Sequence, residues 1–223
     1  ADKWRIPLIE DSAEAIGSTY KGRPVCQHGL VSALSFNGNK TITTGGGGAV
    51  LTSDAEMGRR AKHLTTTAKL PHAWEFIHDE IGYNYRMEGI QGAVLGVKLK
   101  HLANWTRERQ RVAHRYAELL ADTPLQLPSQ ASWAESVWHL YVVRHPKRDD
   151  LKKHLEENGV GCALHYPLPL HLQKCYAHLG YKEGAFPVSE KAARECLSLP
   201  IYPELTDKQI QRVAEVIRSF FKK

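Results

Sequence analysis

The hydrophobic pattern changes character along the chain. RIPLIE, residues 5–10, is an apolar run that ends on an acidic pair, Glu10 and Asp11, which is the form of a buried strand with a charged exit. A short helix is predicted around Ser12–Ile16. Two further runs, residues 30–36 and 48–53, read as strands; between them lies a polar stretch with Lys40 and four consecutive glycines, Gly45–Gly48. DAEMGRRAKHL opens on an acidic cap, Asp54, and has the period of a helix. Residues 65–88 are polar, aromatic and without period, too long for a simple connection, and loops of that kind are often functional.

A helical period resumes at Glu88 or Gly89 and runs through IQGAVLGVKLKHL, and a second helix covers Arg107–Leu120. TPLQLP breaks the pattern. VWHLYVV reads as a strand, LKKHLEENG as a helix stopped by Gly159, and CALHY as a short strand. Helices around Glu190–Cys196 and Asp207–Phe220 close the chain. Strands and helices alternate to about residue 60, which predicts a parallel α/β layer. The later order of helix, strand, helix, strand, helix predicts a smaller α+β body. The expected division is residues 1–104 and 105–223.

Composition narrows the class. The chain has 223 residues, 42% hydrophobic and 24% charged, in the range of soluble globular proteins. No apolar run approaches the ~20 residues that span a bilayer, and ADKWRIPLIED has no core for a signal peptide. No membrane contact is expected. Net charge is +6, but Lys and Arg are dispersed. The short clusters Arg107, Arg109, Arg111 and Lys147, Arg148 read as exposed helix faces, so no nucleic-acid partner is expected. Cys26, Cys162, Cys175 and Cys196 form no C-x-x-C pair and read as reduced thiols of a cytoplasmic protein. Twelve histidines are scattered without an H-x-x-x-H pair, so no metal site is expected.

The chemistry concentrates in SALSFNGNKTITTGGGGAV, residues 32–50. A lysine confined between two strands can be aimed. Together with a carboxylate at a nearby strand end, it supplies the two charged groups that a pyridoxal 5'-phosphate site needs. The lysine bonds the cofactor aldehyde, and the carboxylate pairs with the ring nitrogen. A neutral lysine attacks the aldehyde and, once released, carries a proton between substrate and cofactor carbons. Spacing alone leaves Lys40 open as an ordinary loop lysine, and leaves Glu10 and Asp11 as rival carboxylates. The glycine run has neither a G-x-G-x-x-G nor a Walker pattern. It reads as a turn that needs positive φ and close backbone approach.

The wording of these segments is more specific. DSAEAIGSTYKGRPV followed by LSFNGNKTITTGGGGAVLTSD resembles the DegT/DnrJ/EryC1/StrS sugar aminotransferases. The resemblance continues through HLTTTAKLPHAWEFIHDEIGYNYRMEGIQGAVLGVKL, VGCALHYPLPLHLQKCYAHLGY and LSLPIYPELTDKQIQRV, covering essentially the whole chain. It implies an α/β fold, PLP-dependent transferase fold type I: part of the large parallel-sheet domain, then a small C-terminal α+β domain. It implies pyridoxal 5'-phosphate bound by Lys40, with Asp11 rather than Glu10 on the ring nitrogen. Glu14 falls beside the ring, and Ser35 donates to the phosphate. Asn84 reaches the phosphate of a partner subunit, so a homodimer with shared sites is implied. Asn37 and Asn39 flank Lys40. Substrate contacts are expected from His165, Tyr83 and Arg86, with His72, Trp74 and His78 in the same irregular loop as Tyr83.

The implied reaction moves an amino group from L-glutamate to a nucleotide-linked keto-deoxy sugar for surface glycans. The wording around Lys40 and residues 63–86 resembles enzymes that aminate carbon 4 of UDP-linked 4-keto-6-deoxy-N-acetylhexosamines, of the bacillosamine and legionaminic-acid type. NYRMEGIQGAVLGVKLKHL resembles those that aminate carbon 3 of dTDP-linked sugars. A lysine at position 40 argues against the dehydrating branch, which has histidine there. A non-catalytic module of the same fold is the rival class. The resemblance also places the chain as a C-terminal portion, lacking an upstream part that supplies phosphate contacts and a stacking ring, so weak cofactor retention by the chain alone is expected.

Overall fold

The computed structural model describes residues 1–70 and 76–222; His72 and Trp74 lie outside them. The first elements are β1 (Ile9–Asp11), β2 (Thr19–Tyr20), β3 (Arg23–Pro24), β4 (Val31–Ser35), β5 (Gly48–Leu51), α1 (Ala55–Thr65) and α2 (Gly89–Leu99). There follow α3 (Leu102–Leu120), β6 (Ala134–Glu135), β7 (Tyr141–Arg144), α4 (Arg148–Glu157), α5 (Pro187–Glu195), β8 (Cys196–Leu199) and α6 (Asp207–Phe221). They form two compact units, Ala1–Asn104 with Ala131–His139, and Trp105–Gln130 with Leu140–Lys223. Residues 131–139 belong with the first unit, apart from the rest of the stretch 105–223, because β6 pairs with β2.

In the first unit, β1 runs parallel to β4, with Asp11 opposite Ala33, and β4 runs antiparallel to β5. The sheet is therefore mixed. Only a loop, with no crossover helix, joins β4 to β5, and such a connection returns the chain antiparallel. The glycines in that loop serve geometry. Gly47 has φ +108°, and a Cβ at Gly48 would stand 2.6 Å from the Leu34 carbonyl oxygen. Strand β1 is shorter than expected, since Pro7 cannot donate to a ladder and pairing starts at Ile9. The expected helix at Ser12–Ile16 is a run of turns, Ala15 N to Ser12 O and Ser18 N to Ala15 O, stopped at Gly17 with φ +96°. Strands β2 and β3 form a hairpin. Its two turn residues, Lys21 and Gly22, both have positive φ, as a type I′ turn demands.

Helix α1 forms where its cap predicts: the Asp54 side chain accepts from the backbone N–H groups of Glu56 and Met57. In the second unit β7 and β8 pair antiparallel, and Tyr116, Tyr141, Leu151, Leu155, Leu197 and Ile217 are fully buried there. Strand β7 starts at Tyr141 rather than Val137, because Trp138 has φ +52° and interrupts the extended path. CALHY contributes only a bridge between Ala163 and Ser198. Helix α4 ends as expected, with Gly159 at φ +75°.

Two of the arginines expected on exposed faces are buried instead. Arg109 donates to the Ile201 carbonyl, and Arg148 donates to the Ala193 and Cys196 carbonyls. Each satisfies backbone oxygens beside β8, a use of guanidinium that charge counting does not reveal. Among the described residues, no helix is long and apolar enough to cross a membrane.

Candidate active site

Lys40 sits in a loop pinned on both sides. Phe36 and Ile42, which flank it, are buried. Lys40 N donates to the Asn37 carbonyl, which places Asn37 in the turn through its backbone. Phe36 N donates to Gly47 O, and Thr44 N donates to Phe36 O, closing the loop on itself. Helix α2 holds it from outside: Lys98 Nζ donates to Thr43 O at 2.7 Å and Gln91 Nε2 to Gly46 O at 3.2 Å. The side chain of Lys40 is only 14% exposed, and its Nζ donates to Glu14 Oε1 at 2.8 Å. Glu14 stands on the turn that leaves β1, three residues after Asp11.

The two carboxylates at the strand end have different fates. The Glu10 carboxylate accepts backbone N–H bonds from Cys26 (2.9 Å), His28 (2.8 Å) and Gly29 (2.6 Å). Burial alone pushes its pKa up, but these bonds, with the nearby His28, outweigh burial and hold it below the ordinary glutamate value. Glu10 is therefore committed to anchoring the loop before β4. Asp11 is exposed, and its Oδ1 accepts from Ala13 N at 3.2 Å. Glu10→Ala should lower the denaturation midpoint, since three backbone donors lose their acceptor, at a cost of about 1–3 kcal/mol. Because the folded pKa is depressed, this stabilisation is present above the unfolded value near 4.5 and lost as pH falls through the folded value. The difference between wild type and variant should therefore shrink in acid. A difference independent of pH would mean that the charge of Glu10 is irrelevant.

Ser35, half-buried at the end of β4, accepts from Asn37 N at 3.3 Å and keeps its own proton to donate. Below it, Ser12 and Ser32 form a buried hydroxyl pair 3.0 Å apart that ties the two parallel strands together. Amine, exposed carboxylate and hydroxyl donor thus stand around the ends of two adjacent strands. That set suits a cofactor with an aldehyde, a basic ring nitrogen and a phosphate.

The remaining expected site residues lie elsewhere. Tyr83, Asn84 and Arg86 are exposed on the strip before α2. Asn84 bridges to Thr66, and the Tyr83 ring stacks on Tyr85 at 4.9 Å. Asn84 and Arg86 line a cavity of about 460 Å³ with Thr66, Thr67 and Lys69; Lys40 is not part of its wall. In the same strip His78 Nδ1 lies 2.6 Å from the Thr67 carbonyl oxygen, which gives it a structural partner. His165 belongs to the second unit, where its Nδ1 lies 2.8 Å from Ser198 Oγ. It lines a cavity of about 620 Å³ with Val142, Arg144, Tyr166 and Cys196. His63, Asp79 and Glu80 also cluster, within 4.8 Å, but the Arg60 guanidinium forks onto Glu80 and makes the group an ion-pair network.

A lysine-bearing loop beside an acidic strand end, in an α/β unit, is the arrangement that the sequence resemblance leads one to expect. The chain belongs to the DegT/DnrJ/EryC1/StrS aminotransferase family, whose model matches residues 1–218. It is 37% identical to the dTDP-3-amino-3,4,6-trideoxy-alpha-D-glucose transaminase of Streptomyces venezuelae, covering 99% of this chain and 58% of that protein. It is 39% identical to a protein of Geobacillus stearothermophilus named "pleiotropic regulatory protein", over all of this chain and 60% of that one. The crystal structure of DesV from S. venezuelae superposes with a TM-score of 0.94 at 36% identity, covering 100% of this chain and 60% of that one. The chain thus spans about 60% of the length of the relatives it matches.

Proposed function

We propose that the protein carrying this chain is a pyridoxal 5'-phosphate-dependent aminotransferase that moves an amino group from L-glutamate to a keto carbon of a nucleotide-linked deoxy sugar. The observation that carries this reading is the Lys40 amine, largely shielded and held 2.8 Å from Glu14 beside the strand end that bears Asp11. When bound, the cofactor supplies an aldehyde for the lysine and a protonated ring that withdraws electrons from the reacting carbon.

Every other task falls to the chain. Lys40 anchors the cofactor, then serves as the base and acid that moves one proton between two carbons. Asp11 keeps a proton on the ring nitrogen, which requires an ionised carboxylate. Glu14 stands beside the ring, and Ser35 donates to a phosphate oxygen. Asn84 serves the site of a partner subunit in a homodimer, a reading compatible with the absence of Lys40 from the wall of the cavity of about 460 Å³ that Asn84 lines. Tyr83, Arg86 and His165 contact the nucleotide sugar.

The name of the S. venezuelae relative specifies a 3-amino sugar, which supports carbon 3 over the carbon-4 reading suggested by the wording around Lys40. A panel of UDP- and dTDP-linked 3-keto and 4-keto sugars, with glutamate and mass detection, tests both. An amino sugar from 3-keto substrates is the expected result, and product from 4-keto substrates alone would reverse the choice. The regulatory name of the G. stearothermophilus relative favours one rival, a cofactor-binding regulator. Cofactor fixed on Lys40 with no amino sugar from any substrate would favour it.

A further inference from the structure

We infer that His139 is a positioning residue for Lys40, acting through Glu14. This rests on the reading of Lys40 as the cofactor lysine. Glu14 Oε1 is the atom that binds Lys40 Nζ at 2.8 Å, and His139 Nε2 lies 3.6 Å from that same oxygen. The exposures differ in an instructive way. The Glu14 side chain is 52% exposed, whereas those of Lys40 and His139 are 14% and 6% exposed. A half-exposed glutamate has rotamers that point to water, and an ion pair with one lysine is a weak reason to abandon them. A buried imidazole 3.6 Å from the same carboxylate oxygen gives Oε1 a second polar neighbour. It confines the group to the one orientation in which it meets Lys40.

The way His139 is delivered supports the assignment. Residues 131–139 leave the second unit's stretch of sequence and fasten onto the segment that follows Glu14. Strand β6 pairs with β2, Lys21 N donates to Trp133 O at 2.7 Å, and Val137 N donates to Ser18 Oγ at 2.9 Å. The residue before His139, Trp138, is held at φ +52°, a left-handed conformation that bulky side chains rarely adopt. Its N–H is satisfied by Ser136 Oγ at 3.0 Å. Unusual backbone of this kind persists only where the surroundings over-determine it, and it tends to cluster at functional sites. Here it ends the β6 excursion and presents the imidazole to Glu14.

The consequence is control of the Lys40 amine. Glu14 accepts from Lys40 Nζ at 2.8 Å, and the amine must leave that contact before it can attack a carbonyl. A carboxylate fixed by His139 sets how firmly Lys40 is held until a ligand displaces it. The test uses the whole protein carrying this chain, without cofactor, so it does not depend on transamination. The rate of Lys40 acetylation by acetic anhydride is read by peptide mass mapping against exposed Lys62. His139→Phe keeps a ring but removes the nitrogen, and should speed Lys40 labelling relative to Lys62 by about fivefold, the scale of a lost partly exposed ion pair.

His139→Gln, whose amide nitrogen falls near the place of Nε2, should restore the wild-type rate. His139→Asn, which reaches only the Nδ1 position, should not. Glu14→Gln should match His139→Phe, and the double variant should be no faster than either alone. Multiplied effects in the double variant, an unchanged rate in His139→Phe, or equal behaviour of the Gln and Asn variants would overturn the inference. If His139→Phe fails to fold, the Gln and Asn pair decides. Borohydride mapping of the cofactor separately tests whether Lys40 is its anchor, so failure of that reading is distinct from failure of this one.

Discussion

Lys40→Ala is expected to lower transamination by the protein carrying this chain to background, a loss of more than ~10³-fold. Anchor and proton carrier disappear together, and general acid–base catalysis alone is worth ~10²–10⁴-fold. The structure makes the effect local. Lys40 is held by its own loop and by Glu14, and its amine supports none of the fold's backbone bonds described above. The variant should therefore melt near the wild type. Borohydride reduction of the cofactor-loaded wild type should fix cofactor mass on the peptide containing Lys40 and on no peptide of the variant. Wild-type turnover by Lys40→Ala would remove the assignment outright.

Asp11→Asn should be the next most damaging change. It keeps size and removes the charge that holds a proton on the ring nitrogen, raising the barrier by several kcal/mol, or ~10²-fold or more in rate. The comparison with Glu10 makes the prediction sharp. The Glu10 carboxylate is consumed by the N–H groups of Cys26, His28 and Gly29, so Glu10→Gln should act on stability and leave the rate per folded molecule close to wild type. Asp11 is exposed and available. A rate measured per folded molecule that fell further in Glu10→Gln than in Asp11→Asn would reverse the roles.

The family was readable because its motifs are short and contiguous. So were features with local causes. Asp54 caps α1 through donors two and three residues on, Gly159 stops α4, and Thr206 with Gln209 closes a capping box on α6. Each depends on residues within a turn of one another, where spacing carries the information. Other features depend on partners far along the chain, and no local pattern records them. By spacing alone Glu10 and Asp11 are equivalent, and what sets them apart in the structure is the backbone of residues 26–29 folding over Glu10.

The helical pattern at Ser12–Ile16 gave way to turns that carry the chain from β1 into β2, because the tertiary path needs a sharp exit there. VWHLYVV has the composition of a strand, yet Trp138 turns left-handed so that residues 131–139 can pair with β2 before β7 begins. Arg109 and Arg148 look like surface charge until the carbonyls beside β8 claim them. The buried link between Glu190 and His171, 3.0 Å apart, and the meeting of His139 with Glu14 belong to the same class. Sequence determined which chemical groups are present and where locally capped helices start or stop. Only tertiary structure decided which charged groups are spent on holding the fold and which remain free to act, because that choice is made by backbone donors and acceptors brought together from distant parts of the chain.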